Sequence, residues 1–88
     1  MRHATQDDLD RVEAPLAGLR GLPQLRERKR GYFPRGSRAF LHFHEDAGDL
    51  HADVRLDGKF QRMRVTTAAD QADFLARMLE ALRPSSSA

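Results

Sequence analysis

Leu50-His51-Ala52-Asp53-Val54-Arg55-Leu56-Asp57-Gly58-Lys59-Phe60-Gln61-Arg62-Met63-Arg64-Val65 is the stretch that decides the fold of this chain. Leu50, Ala52, Val54 and Leu56 alternate with His51, Asp53 and Arg55, the period of two that a strand with one buried face requires. Asp57-Gly58 is a strong two-residue hairpin signal. With that loop, Leu56 faces Lys59, and Asp53 then faces Arg62, His51 faces Arg64, Ala52 faces Met63 and Leu50 faces Val65. Apolar residues meet apolar residues. A slip of one position would turn a whole apolar side to water, so the pattern fixes the register.

Working upstream, Ala39, Leu41 and Phe43 alternate with Phe40, His42 and His44. With Glu45–Gly48 or its central pair as the loop, Phe43 is expected opposite Leu50, Leu41 opposite Ala52, His42 opposite His51, His44 opposite Asp49 and Phe40 opposite Asp53. Arg28–Phe33 reads as an earlier strand, followed by a Pro34-Arg35-Gly36-Ser37 turn. Thr5, with Asp8 three positions on, opens an N-terminal helix. Leu9, Val12, Leu16 and Leu19 make its apolar stripe. Pro15 removes a donor and should kink or restart the helix, and Gly18, Gly21 and Pro23 end it by about residue 21. A last helix starts at Thr66 or Thr67, again with an acid, Asp70, in its first turn. Phe74, Leu75, Met78, Leu79 and Leu82 form its apolar face, and Pro84 stops it.

The expected fold is α+β: an antiparallel meander of three to four strands with an N-terminal and a C-terminal helix packed on one face. Residues 1–83 form the single domain and residues 84–88 a disordered tail. The expected core is Leu9, Val12, Leu16, Leu19, Leu41, Phe43, Leu50, Ala52, Val54, Met63, Val65, Phe74, Leu75, Met78, Leu79 and Leu82.

A chain of 88 residues holds one small domain with a modest core. Without cysteine it carries no disulfide scaffold, cysteine zinc finger, iron–sulfur site or thiol nucleophile. Met1–Asp10 is polar and acidic, unlike a signal peptide, and no apolar run is long enough to cross a membrane. Arg outnumbers Lys 13 to 2, the bias of a GC-rich bacterial genome, and a cytoplasmic location is expected. The net charge of +2 hides a contrast: residues 26–38 carry +5 and residues 39–59 carry −3.

The hairpin registers put Phe40, His42, His44, Asp49, His51, Asp53, Arg55, Phe60, Arg62 and Arg64 on one face, opposite the helices. Three uses of this polar face and its flank follow. The first is a non-enzymatic interaction surface, a homodimer contact with Phe40 and Phe60 at its centre and His42, His44, His51, Asp53, Arg62 and Arg64 around them. The second is a divalent transition metal held by His42, His44, His51 and Asp49, since imidazole and carboxylate suit zinc, nickel or iron. Gly36-x5-His42-x-His44 matches the opening of the cupin metal motif, but the motif's later Glu and its second half are missing. The third is nucleic acid or another anion on Arg26, Arg28, Lys29, Arg30, Tyr32 and Arg35, where cations alternate with aromatics. Arg30-Gly31-Tyr32 matches the first places of an RNA-recognition strand, which Phe33-Pro34 then breaks. No catalytic residues are assigned. An open sheet offers no pocket that excludes water, and no nucleophile motif or glycine-rich phosphate loop is present. No cofactor is expected apart from the alternative metal.

The run Arg38-Ala39-Phe40-Leu41-His42-Phe43-His44-Glu45-Asp46, with Ala52-Asp53-Val54-Arg55-Leu56 and Arg64-Val65-Thr66-Thr67, resembles a family of small bacterial α+β proteins with the pattern FLHFHED…ADVRL…RVTT. The resemblance covers about residues 20–80. The order of helix, Leu22-Pro23 link, meander and C-terminal helix is also similar in layout to the MmcQ/YjbR-like proteins. Neither resemblance supplies an activity or site residues. Both imply a stand-alone cytoplasmic protein.

Overall fold

The structure is a computed structural model that describes residues 2–83. In chain order its elements are β1 (Arg2–His3), α1 (Gln6–Asp10), α2 (Glu13–Arg20), β2 (Phe33–Arg35), β3 (Arg38–Asp46), β4 (Asp49–Leu56), β5 (Lys59–Arg64) and α3 (Ala68–Ala81). The α+β class is as expected, with an antiparallel sheet of five strands rather than three or four. β3, β4 and β5 form the meander. β1 and β2 lie end to end along the other edge of β3, at Glu45–His44 and at Leu41–Arg38 respectively. The expected tail and the stop at Pro84 fall outside the described residues.

The β4–β5 register is the expected one, with Leu56 opposite Lys59, Asp53 opposite Arg62 and His51 opposite Arg64. Asp57 and Gly58 both take positive φ, 53° and 79°, as a type I′ turn requires. The β3–β4 register differs from the expectation by two residues. Leu41 lies opposite Val54, His42 opposite Asp53, Phe43 opposite Ala52, His44 opposite His51 and Asp46 opposite Asp49. The loop is Ala47-Gly48 alone, again with both φ values positive, 53° and 89°. Glu45 supports it by accepting the Gly48 N–H at 2.9 Å. Alanine is a poor advertisement for positive φ, so the turn was not legible in the sequence. A two-residue shift keeps every side chain on its face and changes only its partner.

The N-terminal helix is two helices. Thr5 and Asp8 form a reciprocal capping box at α1. The chain then breaks at Arg11-Val12, and Pro15 sits in the first turn of α2, where its missing N–H has no intrahelical acceptor to lose. Leu9, Val12, Leu16 and Leu19 still form one buried stripe across the break. Thr67 and Asp70 cap α3 in the same way.

Arg28–Phe33 is not a strand. Lys29 and Tyr32 make an isolated bridge around a turn at Arg30-Gly31, and β2 begins only at Phe33. Gly31 has φ +78°, and a Cβ there would lie 2.6 Å from Leu9 Cδ2. The turn is thus pressed onto α1 at a position only glycine fits.

The helices cover the face of Leu41, Phe43, Leu50, Ala52, Val54, Met63 and Val65. Phe43 meets Phe74 edge to face at 6.1 Å between ring centres. The seam of α3 is Phe74, Met78 and Leu82, while Leu75 is half-buried against Gly18. Leu79, expected in the core, is exposed, because it falls on the far side of a helix packed through a narrower stripe than its apolar residues suggest. Leu25, Phe33 and Phe40 join the core unannounced.

Candidate metal centre

The uncovered face of the sheet carries the histidines. His42 and His44 are two apart on β3, so both point away from the helices. β1 places His3 opposite His44. A two-residue strand needs anchoring, and Arg2 provides it, bridging Asp8 at 3.0 Å and Glu45 at 3.2 Å, while Ala4 N–H donates to Phe43 C=O at 3.1 Å. The rings of His3 and His44, and of His42 and His44, have centres 4.6 Å apart. Each of the three offers a ligand nitrogen, and these nitrogens all lie within 4.8 Å of one another. His3 is exposed, His42 half-buried and His44 buried.

Asp53 lies beneath this group. One of its oxygens is 2.9 Å from His44 Nδ1. That distance is an ion-pair distance, but the direction falls outside hydrogen-bond geometry, and the buried Nδ1 atoms of His42, His44 and His51 are all without a hydrogen-bond partner. Asp53 also accepts both ends of the Arg62 guanidinium, at 2.9 and 3.0 Å. Burial pushes the Asp53 carboxyl up, but the hydrogen bonds and charge of Arg62, together with the neighbouring imidazoles, outweigh it and hold the pKa below the ordinary value. Burial lowers the pKa of both His42 and His44. At His42 the neighbouring His44 adds to the effect, and at His44 the attraction of Asp53 is too small to reverse it. Both are therefore neutral imidazoles near pH 7, the form that ligates metal.

The metal set read from the sequence is only half assembled. His42 and His44 come together, but His51 and Asp49 lie outside the group, and His3 takes the third place. Asp49 is held by Arg64 at 3.0 Å and by the Thr66 hydroxyl at 3.2 Å. His3 was missed because a two-residue strand leaves no periodicity to read. Arg62 and Arg64, which as free cations would repel a metal, are each neutralised, Arg62 by Asp53 and Arg64 by Asp49 and Asp70.

Of the two aromatics expected on this face, Phe40 belongs instead to the buried core cluster, with the Arg35 guanidinium over its ring, and is closed to a partner. Phe60 stays 44% exposed, with Arg55 over its ring at 4.3 Å and His42 against its edge. In the basic segment, Arg30 turns inward to Asp10, Glu13 and Gln6. Arg26, Arg28, Lys29 and Arg35 stay exposed. No helix among the described residues is long and apolar enough to cross a membrane. No known family, curated protein or solved structure matches this chain.

Proposed function

We propose that the protein is a binding module of the open sheet face whose ligand is a divalent transition metal, held by His3, His42 and His44. The observation that carries this is the mutual approach of three ligand nitrogens from two strands to within 4.8 Å. Around a tetrahedral ion with bonds of about 2.0–2.1 Å, ligand nitrogens sit about 3.4 Å apart, so small side-chain rotations complete the set. Asp53, 2.9 Å from His44 Nδ1, is close enough to become the outer-shell carboxylate of a metal-binding imidazole after a small rotation, which would leave Nε2 to the ion. The buried His42 Nδ1 has no hydrogen-bond partner, which supports the same reading, since an unsatisfied buried group costs about 1–3 kcal/mol unless something meets it. Imidazole ligands suit zinc, nickel and copper, and three of them leave a coordination position open.

Calorimetric titration of untagged protein with zinc or nickel should show one ion taken up per chain. At a hundredfold excess over Kd the gain of about 2.7 kcal/mol should raise Tm by roughly 10–20 °C. His3→Ala and His42→Ala should each abolish uptake, and His51→Ala should retain it. Absence of stoichiometric uptake, or loss of uptake in His51→Ala but not in His3→Ala, refutes the site. A second use of the face, self-association, is favoured by the exposed Phe60 ring. Light scattering of the wild type and of Phe60→Arg tests it, and a monomeric wild type rejects it.

A further inference from the structure

The basic segment folds into a feature whose cations the metal reading does not use. Three clefts run together along it. The first, of about 370 Å³, opens beside His3 and His42 and is walled by Lys29 and Tyr32. The second, about 430 Å³, shares Lys29 and Tyr32 with the first and adds Arg28. The third, about 290 Å³, shares Arg28 with the second and adds Arg26 and Arg35. The shared walls place the three clefts side by side as one basic surface.

The charge in this groove is uncompensated, and local sequence does not explain why. Glu27, the one acid among residues 26–38, is drawn out of the segment. Arg20 holds it at 2.6 and 3.2 Å, and it accepts the Gly31 N–H at 2.8 Å. Arg30 is spent on Glu13 and Asp10. Arg26, Arg28, Lys29 and Arg35 are left with no carboxylate partner among the described residues, as are the more scattered Arg11, Arg38, Arg55, Lys59 and Arg77, whereas Arg2, Arg20, Arg30, Arg62, Arg64 and Arg83 each have one. Arg35 also covers the Phe40 ring, but four like charges close together repel one another, so an anion is what would gain from them.

We infer that the groove binds single-stranded nucleic acid, with Arg26, Arg28, Lys29 and Arg35 on successive phosphates and a base against Tyr32. Spacing and shape select this polyanion. The cations are spread over adjoining clefts rather than focused on a single point, which suits a phosphodiester chain better than an isolated phosphate. Tyr32 is half-buried between two of the clefts, where a base can stack on it. An anionic membrane would ask for apolar side chains beside the cations. The exposed large hydrophobics, Phe60 and Leu79, line none of the three clefts.

The test is fluorescence anisotropy with labelled oligo(U) and oligo(dT) of about twelve nucleotides, in EDTA so that no metal contributes. Four phosphate contacts to a single strand give a slope of log K against log salt of about −2.8, so affinity should fall about fiftyfold between about 50 and 200 mM salt. Arg28→Ala/Lys29→Ala should halve the slope to about −1.4. Tyr32→Leu should weaken binding by about 5- to 150-fold while Tyr32→Phe retains it, with circular dichroism confirming that both fold. Lys59→Ala, at the far hairpin, should leave binding unchanged. Binding of either oligonucleotide with this pattern supports the groove. An unchanged slope in the double variant, equal weakening by Lys59→Ala, or competition by polyglutamate or phosphatidylserine vesicles at equal charge concentration overturns it.

Discussion

Asp53→Ala is the substitution that separates the structural from the functional side of the open face. Asp53 is 8% exposed and receives two charge-assisted bonds from Arg62, at 2.9 and 3.0 Å. Truncating one partner of a fully buried pair costs about 3–5 kcal/mol, and of an exposed pair about 0–1 kcal/mol. The Arg62 side chain is 42% exposed, so water can take over much of its solvation once the carboxylate is gone. The expected cost lies between the limits, at about 2 kcal/mol, or a fall in Tm of roughly 8–16 °C for a domain of this size. Urea denaturation of the wild type, Asp53→Ala, Arg62→Ala and the double variant should give a coupling energy of about 1–2 kcal/mol. Asp73→Ala, an exposed acid on α3, should stay within about 0.5 kcal/mol of the wild type. The same Asp53→Ala protein should bind zinc about 10- to 100-fold more weakly, because His44 loses its orienting carboxylate, whereas Arg62→Ala should not. A coupling energy near zero refutes the buried-pair reasoning. Equal zinc affinity in Asp53→Ala and wild type refutes the outer-shell role.

Two further predictions follow from the same geometry. His42 and His44 have pKa values lowered by burial, so the unfolded chain binds protons before the native one does. The metal-free protein should therefore hold its full stability above the ordinary histidine pKa of about 6.5 and lose it as pH falls from there toward the lowered native values. The steepest loss is about 1.4 kcal/mol per pH unit for each histidine, read by denaturation from pH 7.5 to 5; a flat profile, or one unchanged in His42→Gln/His44→Gln, contradicts it. Gly31→Ala combines a left-handed backbone with a Cβ 2.6 Å from Leu9 Cδ2. It should cost about 3 kcal/mol by urea denaturation, and a loss under about 1 kcal/mol would show that the Arg30-Gly31 turn is not pressed onto α1 as described.

The sequence by itself determined the α+β class, the β4–β5 register, the two capping boxes and most of the core. These rest on local rules: period-two alternation, the Asp57-Gly58 turn, and Thr with an acid three positions on. Each is set by residues within a few positions of one another. Apart from Phe40, which is buried in the core cluster, it also assigned the meander's side chains to the two faces of the sheet, because a pleat fixes orientation by parity, and even a two-residue error in register preserves parity.

Only the tertiary structure decided who meets whom. His42 lies opposite Asp53 and His44 opposite His51 because the turn closed on Ala47-Gly48, where an alanine accepts positive φ. His3 joins His42 and His44 because Arg2 ties a two-residue strand to Asp8 and Glu45, residues six and forty-three positions away. Glu27 leaves the basic segment for Arg20, and Arg30 leaves it for Asp10 and Glu13. Ion pairs and short edge strands have no periodicity, and their energies are too small to act until the core has brought them together. The polar face was therefore written in the local pattern, while which of its side chains meet depended on contacts that exist only once the chain has folded.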